Sequence, residues 1–282
     1  MDLLHHFRLI ESSNNERIKR IKVHLQGGLA ATKLRQETQE TVLEGVHLLD
    51  AWLKAKQSAN IRSIVTTLAS LQHPEIAAMF ELLITLLTTE NRAFPELILV
   101  EEKLAKTLSS FAHGPILICT IQIPDEDFMS IESQFNIVID AVQDAGNVGS
   151  ILRTATAAGI KKVFCTKGTA HVWSAKVLRA AMGAHPHLQI REGMSPEDFS
   201  GLKQPVLITS LNPKSQSIYT LSEQLKSPHT WVFGNEGSGV HPDFYKIGTS
   251  VFIPQHTGME SLNVACASAI CLFEARRIRV YT

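Results

Sequence analysis

Residues 231–240 read WVFGNEGSGV, and residues 251–263 read VFIPQHTGMESLN. Each segment opens with three apolar residues, which predict a buried strand, and each continues into a polar loop. The first loop holds three glycines around one amide and one carboxylate. The second loop places its polar side chains where an Ala-rich helical pattern begins: Glu260, Ser261 and Asn263. Strand ends with bare backbone and few side chains predict a site for a small, polar, ring-bearing ligand.

The composition limits the class of protein. The chain has 282 residues, which favours two domains, and its 27 basic and 27 acidic side chains cancel. This balance argues against coating of nucleic acid by bulk charge, although a local basic face remains open. The four cysteines form no CxxC pair, so we expect buried free thiols in a reducing compartment and no metal site. The sequence shows neither a signal-peptide core nor a segment of membrane-spanning length, which predicts a soluble, cytoplasmic protein.

Short strands alternate with helices along the chain, which predicts an α/β protein. Residues 1–121 predict a small α/β domain, and residues 136–282 predict a larger, layered one. Between them, residues 122–135 contain Pro124 and several acids, and we interpret them as a linker. The second domain has continuously apolar runs, as expected of parallel strands covered on both faces. Its predicted strands are NIVIDAV, KKVFCTK, PVLITS, WVFGN and VFIPQ.

A basic helix is predicted near the N-terminus. It opens at Glu16, and Ser12, Ser13 or Asn14 is expected to cap it. Its basic side chains, together with Arg35 beyond a Gly-Gly break, are candidates for contacting phosphate groups: Arg17, Lys19, Arg20, Lys22 and Arg35. A solvated helix face is the alternative interpretation.

A third polar segment, DAGNVG at residues 144–149, follows the first predicted strand of the second domain. It places Asn147 at the turn into a helix, and Arg153 follows on that helix. Helix amides and a nearby guanidinium can receive a phosphate or another anion. The alternatives are a helix cap for Asn147 and a surface ion pair for Arg153.

The glycine loop GNEGSG is neither a Walker A loop nor a dinucleotide fingerprint, because Lys-Ser/Thr and GxGxxG spacing are both absent. A nucleotide-dependent oxidoreductase is therefore a weak alternative. Ser261 fits a helix cap as well as a functional role. An acyl-transfer serine is disfavoured because the chain has no GxSxG elbow.

Taken in order, NVGSILRTA, VFGNEGSG and IPQHTGMESLNVA resemble the three motifs of the SpoU/TrmH family, RNA 2′-O-ribose methyltransferases of the SPOUT superfamily. The stretch SAKVLRAAMGAH, with Arg179, Met182, Gly183 and Ala184, is similar to a further family segment. The resemblance covers residues 136–277. It extends more weakly over NNERIKRI and VLEGVHLL, which are similar to the family's substrate-binding module.

Two positions depart from the family pattern. Ala145 stands where the first motif commonly has proline, and Gln255 stands where the third motif often has methionine. Neither position carries a side chain that the chemistry requires. The departures bear on the rigidity of the first loop and on the shape of the ligand pocket.

The resemblance implies a C-terminal α/β domain with a deep trefoil knot, an exception to the rule of unknotted chains, and a smaller, ribosomal-protein-like N-terminal α/β domain that binds the substrate. It implies a homodimer joined through the knot region and the final helix. It also implies S-adenosyl-L-methionine as the cofactor. The cofactor-binding positions that match are Thr209, Ser210, Gly234, Asn235, Gly239, Ile253, Ser261 and Leu262.

The implied reaction is methylation of a ribose 2′-hydroxyl in structured RNA, with ribosomal RNA as the expected substrate. A tRNA methyltransferase and a non-catalytic RNA-binding or ribosome-assembly factor on the same fold are the alternatives. We expect Arg153 to bind a substrate phosphate and to stabilise the developing alkoxide, since a guanidinium stays protonated. A role of Arg153 as base is the family's other proposal. The candidate catalytic residues are Arg153, Asn147, Glu236, Ser261 and Asn263.

Overall fold

The protein is seen in a computed structural model that describes residues 3–109, 114–125, 131, 134–212, 214–256 and 261–281. The chain divides into two compact units. The first unit comprises Met1–Asp125 and Trp173–Pro186, and the second comprises Glu126–Val172 and His187–Thr282. Several residues of the predicted linker lie outside the described residues: 126–130, 132 and 133.

The first unit contains a five-stranded sheet in the order β1-β4-β3-β5-β2. Strands β1, β4 and β3 are parallel, whereas β5 runs antiparallel to both β3 and β2. The strands are β1 (Phe7–Ile10), β2 (Glu40–Glu44), β3 (Ile61–Thr66), β4 (Glu96–Val100) and β5 (Leu117–Gln122). The helices are α1 (Glu16–Gln26), α2 (Gly28–Thr38), α3 (Val46–Lys54), α4 (Leu68–Leu71), α5 (Pro74–Thr89), α6 (Glu102–Leu108) and, from the later segment, α8 (Ala175–Ala181).

Helix α1 begins where predicted, but with a different cap. The side chain of Asn15 accepts a hydrogen bond from the backbone N–H of Arg17 at 3.0 Å, so Ser12, Ser13 and Asn14 are not the cap. The helix turns Ile18 and Ile21 into the core of the first unit, against strands β2 to β5. Strand β1 and helix α2 were not predicted. Strand β1 is a four-residue edge strand, and α2 buries only Ala31 and Arg35, so neither carries a strong apolar period.

The segment Trp173–Pro186 packs within the first unit, although its sequence position predicted membership of the second domain. The guanidinium of Arg179 lies 2.8 Å from the carboxylate of Glu44, which is only 3% exposed at the end of β2. The rings of Trp173 and Trp52 meet edge to face at 6.4 Å. A Cβ at Gly183 would lie 2.5 Å from the Cβ of Ala51, so this close approach requires glycine.

Within the described residues, the second unit contains a seven-stranded sheet in the order β10-β12-β9-β11-β6-β7-β8, and every pairing is parallel. The interior strands are buried on both faces, as their apolar runs predicted. The short or edge strands β8 and β10 were not predicted. The strands are β6 (Asn136–Asp140), β7 (Lys162–Thr166), β8 (Gln189–Met194), β9 (Val206–Thr209), β10 (Gln216–Ser217), β11 (Thr230–Gly234) and β12 (Thr249–Phe252), and the helices are α7 (Ala145–Ala157), α9 (Ser222–Lys226) and α10 (Val264–Tyr281).

Helices α7 and α10 lie side by side and point in the same direction. Asn263 opens α10, because its Oδ1 accepts from the backbone N–H groups of Ala265 and Cys266 at 2.9 and 3.2 Å. Ser261 is therefore not the cap of this helix. At the other end, the guanidinium of Arg279 donates to the carbonyl oxygen of Ala158, the C-cap residue of α7, at 3.1 Å. The first turns of α7 and α10 therefore meet near Asn263, and their last turns meet near Arg279.

Three further findings concern the described residues only. None of their helices is long and apolar enough to cross a membrane. None of their histidine, cysteine and carboxylate side chains form a group that could hold a metal ion. All four cysteines are free, but Cys266 is exposed, which corrects the expectation that every thiol is buried.

Candidate active site at the carboxyl edge of the parallel sheet

A cavity of about 450 Å³ lies where the loops after β9, β11 and β12 meet the start of α10. The loops converge because the carboxyl ends of parallel strands share one edge of the sheet. All the predicted cofactor-binding residues line this cavity: Thr209, Ser210, Gly234, Asn235, Gly239, Ile253, Ser261 and Leu262. Residues 257–260 of the third motif, including Glu260, lie outside the described residues.

Hydrogen bonds between neighbouring strands fix the floor of the cavity. The hydroxyl of Thr209 donates to the carbonyl oxygen of Val232 on β11 at 3.0 Å. The backbone N–H of Ser210 donates to the carbonyl oxygen of Val251 on β12 at 2.8 Å. The ends of β9, β11 and β12 are therefore held together at the residues that the ligand would touch.

The glycine loop closes on itself through Asn235. The backbone groups of Asn235 and Gly239 exchange two hydrogen bonds at 3.0 and 2.9 Å. The side-chain Oδ1 of Asn235 accepts from the N–H groups of Gly237 and Ser238 at 2.8 and 3.1 Å. A Cβ at Gly234 would lie 2.4 Å from the carbonyl carbon of Gly239, so the closed loop requires glycine there.

A chain of side-chain hydrogen bonds joins the three motifs. The amide of Asn147 donates to the carboxylate of Glu236, and its oxygen accepts from Nδ2 of Asn263 at 2.9 Å. Because the oxygen of Asn263 caps α10, the direction of every bond in the chain is fixed. Asn147 itself is not the cap of α7; Asp144 is, through a 2.8 Å bond from the N–H of Asn147. The amide of Asn147 is thus free to hold Glu236 beside the cavity.

The end of β6 holds both ends of the glycine loop. The carbonyl oxygen of Ala141 accepts from the side chain of Asn235 at 2.8 Å, and Oδ2 of Asp140 accepts from the backbone N–H of His241 at 2.6 Å. The hydroxyl of Thr166 on β7 donates to Oδ1 of Asp140 at 2.7 Å and accepts from the N–H of Ala141 at 3.0 Å. Sequence reasoning missed Asp140 and Thr166, because each simply ends an apolar strand run.

Other lining residues were also missed. Leu211 and Asn212 follow the end of β9, and a search of every strand end could have found them. Tyr245 lies in a 3-10 helix with no motif of its own, so only the tertiary structure brings it to the cavity. Gln255, noted for its departure from the resembled motif, does line the cavity and so contributes to its shape.

Comparisons with known proteins agree with this geometry. Residues 134–273 match the sequence model of the SpoU rRNA Methylase family. The 23S rRNA (guanosine(2553)-2′-O)-methyltransferase RlmP of Bacillus subtilis is 29% identical over 269 residues, which span 95% of this chain and 98% of that protein. An AdoMet-bound rRNA methyltransferase structure from Sinorhizobium meliloti superposes with a TM-score of 0.77 at 26% identity, over 96% of this chain and 98% of that one.

The chain belongs to the SpoU family of RNA methyltransferases. A structure described as a putative TrmH-family RNA methyltransferase from Porphyromonas gingivalis has a TM-score of 0.72 at 29% identity, and the match covers 94% of this chain and 98% of that one. The family match lies in the second unit, apart from Trp173–Pro186, which belongs to the first unit, and it includes both the cavity and the bonded chain of Asn147, Glu236 and Asn263. The predicted family and α/β fold class are thereby confirmed.

Arg153, the leading catalytic candidate in this SpoU-family chain, is not brought to the cavity. It is exposed on α7, and among the described residues it has no hydrogen bond or ion pair. It follows Asn147 by six positions, which turns it about 120° away around the helix. Its role stays a prediction. The guanidinium is free to meet a ligand, and the surface ion pair considered from the sequence is not observed among the described residues.

The predicted basic patch of the first unit is divided. Arg17 and Arg20 line a groove with Arg62, whereas Lys19 and Lys22 are exposed on α1. Arg17 also lies 2.7 Å from the carboxylate of Glu96. Arg35 is a correction, because α2 turns it inward to 6% exposure, where its guanidinium donates to Thr32 at 3.2 Å. Arg35 therefore cannot join a surface that contacts RNA.

Proposed function

We propose that this enzyme transfers a methyl group from S-adenosylmethionine to a ribose 2′-hydroxyl of ribosomal RNA. The observation that carries the proposal is the bonded chain of Asn147, Glu236 and Asn263 beside the cavity formed by the glycine loop. A decayed fold that only binds RNA would have no need to keep three polar side chains from distant segments in one directed network. The network instead suits a site that must orient a reacting group.

The cavity suits the chemistry of this cofactor. Its volume of about 450 Å³ lies within the range of ~300–1,000 Å³ that is usual for small-molecule sites. Ile253, Leu262 and Val251 supply apolar surface for an adenine ring, and the hydroxyls of Thr209 and Ser210 supply polar contacts. The carboxylate of Glu236 also lines the cavity, and a carboxylate favours a positively charged ligand group. These residues would hold the cofactor.

When bound, S-adenosylmethionine supplies an electrophilic methyl group on a positively charged sulfur. The protein must place the ribose 2′-oxygen in line with that methyl group and stabilise the negative charge that grows on the oxygen. We assign the second task to Arg153, whose guanidinium is a permanent donor. Because Arg153 does not line the cavity of its own chain, the assignment requires a second copy of the chain, in the homodimer proposed below, to bring it to the reacting oxygen. The hydroxyl proton then leaves to water or to a phosphate oxygen of the RNA, so Arg153 need not act as a base.

The remaining candidates have supporting roles in this proposal. Asn147 and Asn263 fix the position of Glu236 and join the first turns of α7 and α10. Ser261 is exposed and lines the cavity, so its hydroxyl is available to orient the ribose or the cofactor. Glu236 is placed to face the charge of the cofactor rather than to remove a proton from the substrate.

Ribosomal RNA is the proposed substrate class, because the Bacillus subtilis relative that matches almost end to end is named for a guanosine of 23S rRNA. A tRNA substrate is the alternative. The first unit would grip the RNA by its shape, with Arg17 and Arg20 contacting phosphates. Neutralising both arginines should weaken RNA binding and reduce its dependence on salt, whereas the change Arg35→Met should not affect RNA contacts directly.

A homodimer is part of the proposal. Helix α10 exposes three large apolar side chains: Phe273 at 48% and, seven and eight residues later, Val280 at 54% and Tyr281 at 81%. Large apolar side chains exposed on a surface helix favour association with a second copy. The trefoil knot implied by the family resemblance would lie in the adjoining segment between β11 and α10. Light scattering of Phe273→Asp against the parent protein tests the dimer.

The experiment that tests the function combines mapping with reconstitution. First, 2′-O-methyl sites are mapped in total RNA from a deletion strain and from its parent. RNA from the deletion strain is then incubated with the purified enzyme and S-adenosylmethionine, and methylation of the lost site is measured. One lost ribosomal site that the enzyme restores supports the proposal. A lost tRNA site would move the substrate class to tRNA. No lost site, with no transfer to any RNA in vitro, would reject catalysis.

A further inference from the structure

A second cavity, of about 320 Å³, lies at the carboxyl ends of β6, β7 and β8. Ser238, Gly239 and Val240 line both this cavity and the proposed cofactor cavity. The end of the glycine loop is therefore a wall that the two cavities share. No sequence motif pointed to this space, because its lining comes from four separate loops.

The second cavity adjoins the elements that carry the proposed chemistry. Ala141 lines it and begins the loop that leads to Asn147, and Ser238 lines it two residues after Glu236. Strands β6 and β11 are neighbours, and their ends meet here. From β6 the chain continues to β7 on one side, and from β11 it continues to β12 on the other, so the connections diverge between these two strands. Ligands of open parallel sheets bind at such a switch point. A ligand in this cavity would thus be close to any group held beside Asn147, Glu236 and Asn263.

The lining defines the chemical class of the occupant. Met194, Val240 and Pro196 offer apolar surface for a planar ring. Asp140 adds a carboxylate that is only 4% exposed and uses two of its roughly four acceptor positions on Thr166 and His241. It can only accept hydrogen bonds, so it favours a ring edge with N–H groups. Lys167 lines the cavity and is exposed, in a position to meet an anion from solvent.

A nucleotide combines both features, because it joins a planar ring with N–H groups to a phosphate anion. We propose that the second cavity is the base slot of the nucleotide that is methylated, with its N–H edge toward Asp140 and a flanking phosphate near Lys167. This inference rests on the proposed function and names a subsite of it. A ribose 2′-hydroxyl can be aligned for reaction when its base is unstacked and held, as enzymes and proteins that read single-stranded RNA do. The cavity volume suits one base and its sugar.

The test compares two RNA fragments that contain the methylated site, one intact and one with the target base replaced by hydrogen. The wild-type enzyme should have at least a tenfold lower kcat/KM on the abasic fragment. Met194→Trp, which fills the slot, should lower kcat/KM on the intact fragment about tenfold and leave the abasic value unchanged. The effects of removing the base and of Met194→Trp should therefore not add, which is expected when both changes remove the same contact. The affinity for S-adenosylmethionine, measured by calorimetry, should stay within twofold.

Lys167→Ala provides a second arm that does not depend on packing, because this side chain is exposed. It should raise KM for both RNA fragments severalfold at low salt. Lys161→Ala is the matched control, since Lys161 is an exposed lysine just before the amino end of β7 and is absent from the cavity lining. Lys161→Ala should leave KM unchanged for both the intact and the abasic RNA fragment.

The outcomes separate this inference from the function on which it rests. Two results would overturn the base slot: equal kcat/KM of the wild type on intact and abasic RNA, or a preference of Met194→Trp for the intact fragment as large as that of the wild type. In either case, methyl transfer by the wild type would leave the proposed function standing. If Met194→Trp loses cofactor binding as well, Lys167→Ala and the abasic comparison decide alone. No transfer by the wild type to either RNA would count against the function itself.

Discussion

The two units of this enzyme use sheets in different ways. In the second unit every described strand pairing is parallel, so the loops that follow the strands meet at one edge and form two cavities there. In the first unit β1, β2, β3 and β4 all run in one direction and only β5 runs against them, so β2 and β3 each end beside the start of β5. There the buried carboxylate of Glu44 pairs with the partly exposed guanidinium of Arg179 and stabilises the packing of the unit.

The difference shows why a polar residue at a strand end must be interpreted with the direction of the neighbouring strands, which is antiparallel for β5 beside Glu44 and parallel for β7 and β11 beside Asp140. Glu44 and Asp140 each end a buried strand, and each is almost fully buried. Glu44 meets a guanidinium within its own unit, whereas Asp140 meets a threonine and a loop N–H beside a cavity. One position stabilises a unit, and the other shapes a site.

The largest expected effect is on catalysis in the second unit. Arg153→Ala should lower kcat for methyl transfer by roughly 10²–10³-fold, the usual cost of removing one donor to a developing oxyanion. The affinity for S-adenosylmethionine should be unchanged, because Arg153 does not line the cavity. Single-turnover transfer and calorimetry measure the two effects. Lys203→Ala, at an exposed lysine of the same unit, is the control. Turnover at the wild-type rate would remove Arg153 from the mechanism.

Gly234→Ala tests the shape of the glycine loop. The new Cβ would collide with the backbone of Gly239, and overpacking of ~1–3 kcal/mol should weaken cofactor binding roughly 10- to 100-fold. Gly201→Ala is the matched control, since a Cβ there meets no atom within 4 Å. Calorimetric titration with the cofactor measures both variants. Normal affinity in Gly234→Ala would show that the loop does not form the binding wall.

Arg179→Ala tests the ion pair between the partly exposed Arg179 and the buried Glu44 of the first unit. The carboxylate of Glu44 would lose its guanidinium while remaining buried, although Ser109 still donates to it at 3.0 Å. Because Arg179 is partly exposed, we expect a loss of about 2 kcal/mol in the free energy of unfolding of that unit, below the value for a fully buried pair. Denaturant unfolding followed by tryptophan fluorescence in a Trp231→Phe background reports on Trp52 and Trp173, both in the first unit.

Cofactor affinity is the control for this prediction. It should not change in Arg179→Ala, because the residues that line the cofactor cavity all belong to the second unit. A loss of cofactor affinity equal to the loss of stability would contradict the separation of roles between the units.

Thr166→Val removes the hydroxyl that links β7 to Asp140 with little change in shape. An unmet buried hydrogen bond costs ~1–3 kcal/mol, so cofactor affinity should fall roughly tenfold. Thr166→Ser keeps the hydroxyl and should restore binding. The control is Thr169→Val, because the hydroxyl of Thr169 bonds only to the carbonyl oxygen of Ile139 and does not reach the loop. Equal effects in Thr166→Val and Thr169→Val would indicate general loss of packing.

The smallest effect concerns pH and occurs in both units. Burial lowers the pKa of His24 to about 4, with further lowering by Arg35 and Arg20, and burial lowers the pKa of His229 to about 4 in the second unit. Each imidazole is neutral when folded, so below about pH 6.5 the unfolded chain gains a proton first. Stability should therefore fall as the pH drops from about 6.5 to 4.

Variants test this pH dependence separately in the first unit. His24→Phe should flatten the decline in unfolding free energy between pH 7 and pH 5, measured with the same fluorescence signal. His47→Gln, at an exposed histidine of α3, should leave the decline unchanged. A slope that persists in His24→Phe would assign it to other groups.

Much of the site could be predicted from the sequence, because the motifs contain the residues whose backbone or side chains face the ligand. The predicted cofactor-binding residues all line the cavity, and they were predicted from the resemblance of three motifs taken in order: NVGSILRTA, VFGNEGSG and IPQHTGMESLNVA. Caps were predicted less well. Asn15, Asp144 and Asn263 cap their helices in place of neighbouring candidates, since several polar residues in a row give equal local signals.

The sequence by itself determined the family, the α/β class and the residues around the cofactor cavity, because these depend on local apolar runs and on motif order. Only the tertiary structure decided three other things. It bonded Asn147 to Glu236 and Asn263, buried Arg35, and joined Asp140 to Thr166 and His241. Each of these depends on which strands become neighbours and which helix face turns inward, and such contacts between distant residues leave no local pattern in the chain.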